Sequence, residues 1–188
     1  MSSRSLLAAG CLLALTAALP ASAQRLVPAQ SEVAFTSRQM GVPVNGTFRR
    51  FDAQVTFDPK RPEVGRVALT IDTGSASFGA PETDAEMPKA AWFDVAKFPQ
   101  ARFESSAIKG LGAGRYEVAG KLTIKGQARD IVVPVMLAAA GPNTLASGSF
   151  TLKRLDFKIG DGEWSDTSLV ANDVQVRFKL ALADLPSP

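Results

Sequence analysis

The stretch Tyr116-Glu117-Val118-Ala119-Gly120-Lys121-Leu122-Thr123-Ile124-Lys125 decides the fold. Tyr116, Val118, Leu122 and Ile124 fall on one face of an extended chain, and Glu117, Lys121, Thr123 and Lys125 on the other. Alternate side chains of a strand point to opposite faces, so this is a half-buried β-strand. Gly126 breaks the run, and Ile131, Val133, Val135 and Leu137 open a second alternating one. The two read as an antiparallel hairpin.

The same pattern extends in both directions. Upstream, residues 110–114 form a turn preceded by a strand around Phe103, and Val67, Leu69 and Ile71 alternate with Arg66, Thr70 and Asp72 outside. In the long run 44–57, Phe51, Ala53, Val55 and Phe57 share a face, with Phe48 out of phase by one residue. A β-bulge near Arg49-Arg50 would return Phe48 to the inner face and bend the strand. Earlier still, Val33, Phe35 and Ser37 alternate with Glu32, Ala34, Thr36 and Arg38. Downstream, Ala146, Gly148, Phe150 and Leu152 share a face of a strand over 145–154, an acidic glycine-rich loop covers 158–166, and Val174, Val176, Phe178, Leu180 and Leu182 alternate with polar neighbours.

That makes eight antiparallel strands, with no repeat and no interdomain linker. They can close into a barrel or stack as a sandwich; closure removes exposed edges, and an eight-stranded barrel is just wide enough for one ligand. The barrel is therefore the expected all-β fold. Pro134 lacks an N–H for a ladder, which predicts a bulge or a local gap there. Between residues 74 and 99 the alternation fails. Thr83-x-x-Glu86 resembles a capping box, and Pro88 suits the first turn of a helix starting near Met87, so a short helical excursion ending at 92–94 is expected.

Composition excludes several kinds of chemistry. The chain has no histidine and a single cysteine, Cys11, so the commonest general base, metal ligand and thiol nucleophile are missing from the rest of it. The net charge is only +3 and the basic residues are dispersed, which argues against nucleic acid. Arg4, an apolar run over 6–19 and Ala21-Ser22-Ala23 have the layout of a cleaved secretory signal peptide, residues 1–23, leaving one domain over 24–188. The spacing of Asp161, Glu163 and Asp166 does not match a calcium loop.

Ordered along the chain are Gly46-Thr47-Phe48 with Phe51-Asp52-Ala53, then Trp92-Phe93-Asp94-Val95-Ala96-Lys97-Phe98-Pro99 and Arg102-Phe103-Glu104-Ser105. Gly120-Lys121-Leu122-Thr123-Ile124-Lys125-Gly126 and Lys153-Arg154-Leu155-Asp156-Phe157 complete the set. Together they resemble the YceI-like family of bacterial lipocalin-like proteins over residues 25–183. The resemblance implies an eight-stranded antiparallel lipocalin-like barrel, secreted to the periplasm, that holds a polyisoprenoid or related lipid in its bore. Many members carry a histidine near the first strand, where this chain has Gln30-Ser31 and Arg38-Gln39.

Strand pattern alone leaves open whether the inward residues line a cavity or fill a core; the resemblance favours a cavity. The residues expected to line it are Phe35, Phe48, Phe51, Val55, Leu69, Ile71, Phe103, Tyr116, Val118, Leu122, Phe150 and Leu152. Gly120 and Gly148, on inward positions, would leave room inside. Trp92, Phe93 and Phe98 either form a lid over one mouth or pack the helical turn onto the barrel. Arg154 continues the inward parity, and would bind a ligand head group or pair with Asp156 or an acid of the following loop. The expected activity is binding and carriage of a long-chain apolar small molecule, with no catalysis and no cofactor beyond bound isoprenoid or fatty-chain lipid. Transient membrane contact and a homodimer are compatible with it. The alternatives are an integral outer-membrane β-barrel and an enzyme acting on a lipid.

Overall fold

The computed structural model describes residues 23–185; apart from Ala23, the expected signal peptide lies outside the described residues. Eleven strand segments form one sheet: β1 (Gln24–Leu26), β2 (Glu32–Gln39), β3 (Val42–Phe48), β4 (Phe51–Thr56), β5 (Arg66–Asp72), β6 (Ala76–Ser77), β7 (Gln100–Gly112), β8 (Arg115–Ile124), β9 (Gln127–Ala140), β10 (Asn143–Lys153) and β11 (Asp173–Ala183). β1 and β2 are one barrel strand interrupted by a 3₁₀ turn, since both lie beside β11, with Arg25 opposite Ala183 and Val33 opposite Phe178. β3 and β4 are likewise one strand, paired with β2 and β1 in turn. Counted this way, eight antiparallel strands run up and down and close on themselves, with β6 an appendage of β3.

The interruption between β3 and β4 falls at Arg49-Arg50, where the phase of Phe48 required it. Pro134 also acts as its chemistry predicts. The β9–β10 ladder runs from Ala140 opposite Asn143 to Val135 opposite Gly148 and stops there, one residue short of Pro134. The β8–β9 ladder continues past Pro134 to Gln127, so β9 stays with β8 and parts from β10.

The helical excursion is placed differently from the expectation. The helix α1 spans Pro81–Glu86, with Pro81 in its first turn and no side-chain cap on Ala80. Thr83 lies inside it rather than capping it. Proline fits a first helical turn, so Pro81 starts α1; Met87, the C-cap residue, still has helical angles, φ −57° and ψ −36°, and Pro88 follows it without an N–H to extend the helix. Residues 87–98 are a chain of turns, such as the Phe93 N–H to the Met87 carbonyl at 3.0 Å.

Three phenylalanines explain how the inner face is packed. Phe35 lies opposite Gly46 and Phe178 opposite Gly148, while Phe103 crosses from β7 onto Gly120 of β8. A Cβ on Gly120 would come 2.6 Å from Cζ of Phe103, and one on Gly148 2.6 Å from Cζ of Phe178. A Cβ on Gly46 would collide with the Phe35 ring. The room that Gly120 and Gly148 were expected to leave is therefore occupied by rings lying along the wall.

A Gly148→Ala substitution should lower stability by about 1–3 kcal/mol, the usual cost of overpacking, because its Cβ would also meet the backbone oxygen of Pro134. Gly110→Ala, whose Cβ meets nothing nearer than 3.5 Å, should leave stability unchanged or slightly raised in urea unfolding.

Candidate ligand-binding bore

Two cavities lie in line along the barrel axis. The first, of about 140 Å³, has Phe57, Tyr116 and Leu185 in its wall, away from the cap. Phe57 and Tyr116 meet edge to face there, with ring centroids 5.1 Å apart. The second, of about 120 Å³, lies under a cap built from segments 78–99 and 154–172. Val33, Ile71, Leu122, Phe150 and Val176 line both and form a hydrocarbon waist between them. The far chamber is lined by apolar side chains, with the phenol of Tyr116 the exception. The capped chamber adds Ser37, Gln39, Trp92 and Arg154.

Of the residues expected to line a bore, Val55, Leu69, Phe103, Tyr116 and Val118 line the far chamber. Phe35, Phe48, Trp92, Leu152 and Arg154 line the capped one, and Ile71, Leu122 and Phe150 line both. Two are elsewhere. Phe51 packs half-buried against the far core without lining either chamber. Phe98 lies over Gly126 at the β8–β9 turn, where a Cβ would stand 3.0 Å from its ring. Trp92 and Phe93, with Met87, line the capped chamber and are buried in the cap, so they pack that segment onto the barrel. Val67, Val133, Val135, Leu137, Val176, Phe178, Leu180 and Leu182 also line the bore. Their alternation was visible in the sequence. Phe78, Ile159 and Val170 also line it, but they sit in loops without any period.

Arg154 does not form the expected ion pair with Asp156 or an acid of the following loop. It is 2% exposed, and its guanidinium donates only to backbone carbonyls. Nε reaches the carbonyl of Ala171 at 3.1 Å, Nη1 those of Ile159 and Gly160 at 2.9 and 2.6 Å, and Nη2 those of Trp164 and Val170, both at 2.7 Å. A guanidinium has five N–H donors, and all five are engaged. Burial pulls its pKa below the ordinary arginine value. The loop carbonyls have no ladder to satisfy them, and a buried carbonyl needs a donor, so the cation organises the loop.

Lys125 is a second buried cation, although alternation put it on the solvent face. It has a positive φ of 48° in the β8–β9 turn, which breaks the alternation and turns the side chain into the cap. Its Nζ donates to the carbonyls of Ala90 and Lys158 at 2.7 and 2.6 Å and lies 3.5 Å from Asp161. The Ala91 carbonyl in turn accepts from the N–H groups of Gly160 and Asp161. The two cap segments are thus tied to each other and to the barrel rim. Gly160 has a φ of 65°, and a Cβ there would press on Arg154 Nη1 and the Trp92 ring. Trp92 packs against Trp164 with ring centroids 5.6 Å apart and planes tilted by 44°, and its Nε1 is buried without a hydrogen-bond acceptor among the described residues. Asp84 fastens the α1 corner, accepting from Ser77 Oγ and the Phe78 N–H, which hold its carboxyl below the usual aspartate range. Among the described residues no group of His, Cys, Asp or Glu is arranged to hold a metal ion.

A closed eight-stranded barrel with a capped apolar bore defines a lipocalin-like fold. The model of the YceI-like domain matches residues 25–182, and the chain belongs to that family. BcnA of Burkholderia cenocepacia, known as a crystal structure, is 43% identical with a TM-score of 0.80, over 83% of this chain and 98% of that one. A UPF0312 protein of Ectopseudomonas mendocina is 32% identical over 120 residues; the match covers 61% of this chain and 63% of that protein. A polyisoprenoid binding domain from Saccharophagus degradans shares the fold at a TM-score of 0.67 and 17% identity, over 88% of this chain and 98% of that one.

Replacing Arg154 by Met removes the donor from five main-chain carbonyls, three of them, on Ile159, Gly160 and Val170, in buried residues. A buried acceptor left unpaired costs about 1–3 kcal/mol, so the expected loss in urea unfolding is at least about 3 kcal/mol. Hydrogen exchange should accelerate across 154–172 first, with the amides of β8 staying protected.

Proposed function

We propose that the protein binds a long apolar or amphipathic molecule in its bore, a polyisoprenoid, isoprenoid quinone or fatty-chain lipid, and carries it through the periplasm without making or breaking bonds. The observation that supports this best is the pair of hydrocarbon-lined chambers in line, joined by a waist of side chains alone. An engineered cavity of about 150 Å³ lined by similar residues stays dry and takes up benzene. Each chamber is of that size, so a longer chain fills both by parting the waist. A buried methylene contributes about 0.8 kcal/mol, against roughly 4–15 kcal/mol lost on association, so chain length is the source of affinity. The name of the Saccharophagus domain points to the same ligand class by analogy. The signal-peptide layout of residues 1–23 supports secretion.

The outer wall favours this reading over a membrane-spanning barrel. A lipid-facing wall needs an apolar band, whereas Glu32, Arg102, Glu104, Lys121, Lys153, Arg177 and Lys179 stand exposed around it. Native mass spectrometry of protein purified without detergent should show one long-chain molecule per chain, released unchanged on extraction. Val176→Trp, which blocks the waist, should reduce its retention at least tenfold. Failure of the wild-type protein to take up added isoprenoid or fatty-chain lipid would refute the carrier function, and recovery of a chemically altered lipid would favour an enzyme.

A further inference from the structure

The outer wall of the barrel is not evenly charged. From Ile131 to Leu152, most of the β9–β10 hairpin, the sequence has no Asp, Glu, Lys or Arg. The alternation that buries Val133 and Leu137 turns Val132, Pro134, Met136, Ala138 and Ala140 outward. All five are exposed, Val132 at 58% and Met136 at 42%. At about 3.3 Å per residue the stripe is roughly 26 Å long. Ser149 and Thr151 of β10, exposed beside it, are uncharged too. An antiparallel strand with one solvated face normally alternates apolar in and polar out, whereas the outer side of β9 is apolar as well. A contiguous exposed apolar surface marks a contact.

What covers it follows from its surroundings. An open groove of about 580 Å³ beside Pro134 and Met136 also holds Arg115, Arg177 and Lys179, against one acid, Glu32. None of those three cations is in an ion pair among the described residues. The acids nearer the stripe are balanced: Asp130 has Lys121 at 2.8 Å, and Glu117 stands opposite Lys109. The stripe also borders the gap in the wall. Beyond Val135 opposite Gly148 no ladder joins β9 to β10, and Ile131, Val133 and Phe150, on the strands flanking the gap, line the far chamber.

We propose that this face docks on a bilayer surface bearing anionic headgroups. The stripe sits among the headgroups, Arg115, Arg177 and Lys179 meet their phosphates, and the gap between β9 and β10 is turned toward the membrane. That the gap then admits the carried chain rests on the bore being its binding site. A second copy of the chain is the poorer occupant, because two-fold pairing sets a patch against itself and would bring these cations face to face with their own counterparts. A negatively charged leaflet complements them, and each Lys or Arg near such a surface adds about fivefold to binding.

Sedimentation of the intact protein with vesicles of phosphatidylcholine, with or without an equal part of phosphatidylglycerol, tests this. At low salt the anionic vesicles should bind it at least tenfold more tightly, and the excess should fall as salt screens the charges. Met136→Asp and Val132→Asp, each at an exposed site, should each weaken that binding at least tenfold. Arg177→Gln combined with Lys179→Gln should weaken it about twenty-five-fold, and Arg66→Gln, on β5 across the barrel, less than twofold. Met136→Asp should also take up squalene from anionic vesicles at least tenfold more slowly, yet from cyclodextrin at the wild-type rate. Equal binding to both vesicle types, binding to neither, Asp variants that bind like the wild type, or a solution dimer that Met136→Asp splits would overturn the docking proposal and leave the bore intact. Squalene taken up from neither vesicles nor cyclodextrin would overturn the carrier reading instead.

Discussion

An eight-stranded barrel is barely wide enough to be hollow, and phenylalanines projecting into it from opposite walls would fill it. This chain places Phe35, Phe103 and Phe178 on the inner face and gives each ring a glycine on the neighbouring strand to lie over. A ring laid along the wall contributes buried area without crossing the axis. The chambers on either side of the waist depend on that arrangement. Gly46, Gly120 and Gly148 act through the cross-strand contact and not through backbone freedom, since none of them has a positive φ. The hollow is thus shaped by pairs of residues on adjacent strands.

The cap meets the opposite difficulty. Its segments have turns in place of a ladder, so their buried carbonyls must find donors elsewhere. Arg154 and Lys125 provide them from the barrel rim. Each is nearly inaccessible to solvent, and each binds mainly to the dipoles of the main chain. These cations are committed to holding the cap, and Arg154 also borders the chamber beneath it.

Much of this was legible in the sequence, because a period of two is a local property. It located the eight strands, the inner face of each, the break near Arg49-Arg50 and the gap beyond Pro134. The short β1 was missed, since three residues carry no period of their own. Arg154 was placed on the inner face correctly by parity, but its partners are carbonyls up to 17 residues away, which no side-chain pattern records. Lys125 was misplaced because a left-handed turn residue interrupts alternation. Phe98 was grouped with Trp92 through proximity in the chain, whereas the turn between them sends one ring into the cap and the other over Gly126. Phe78, Ile159 and Val170 gave no sign of their role, as loop residues enter a core only through tertiary contacts.

The central claim is that the bore is an open path for a chain, kept so by rings that lie flat. A crystal structure grown with squalene tests it most directly. The account predicts continuous ligand density through both chambers, crossing between Val33, Ile71, Leu122, Phe150 and Val176, with the rings of Phe35, Phe103 and Phe178 still resting on their glycines. Rings rotated inward to fill the axis, with no ligand between the chambers, would contradict it.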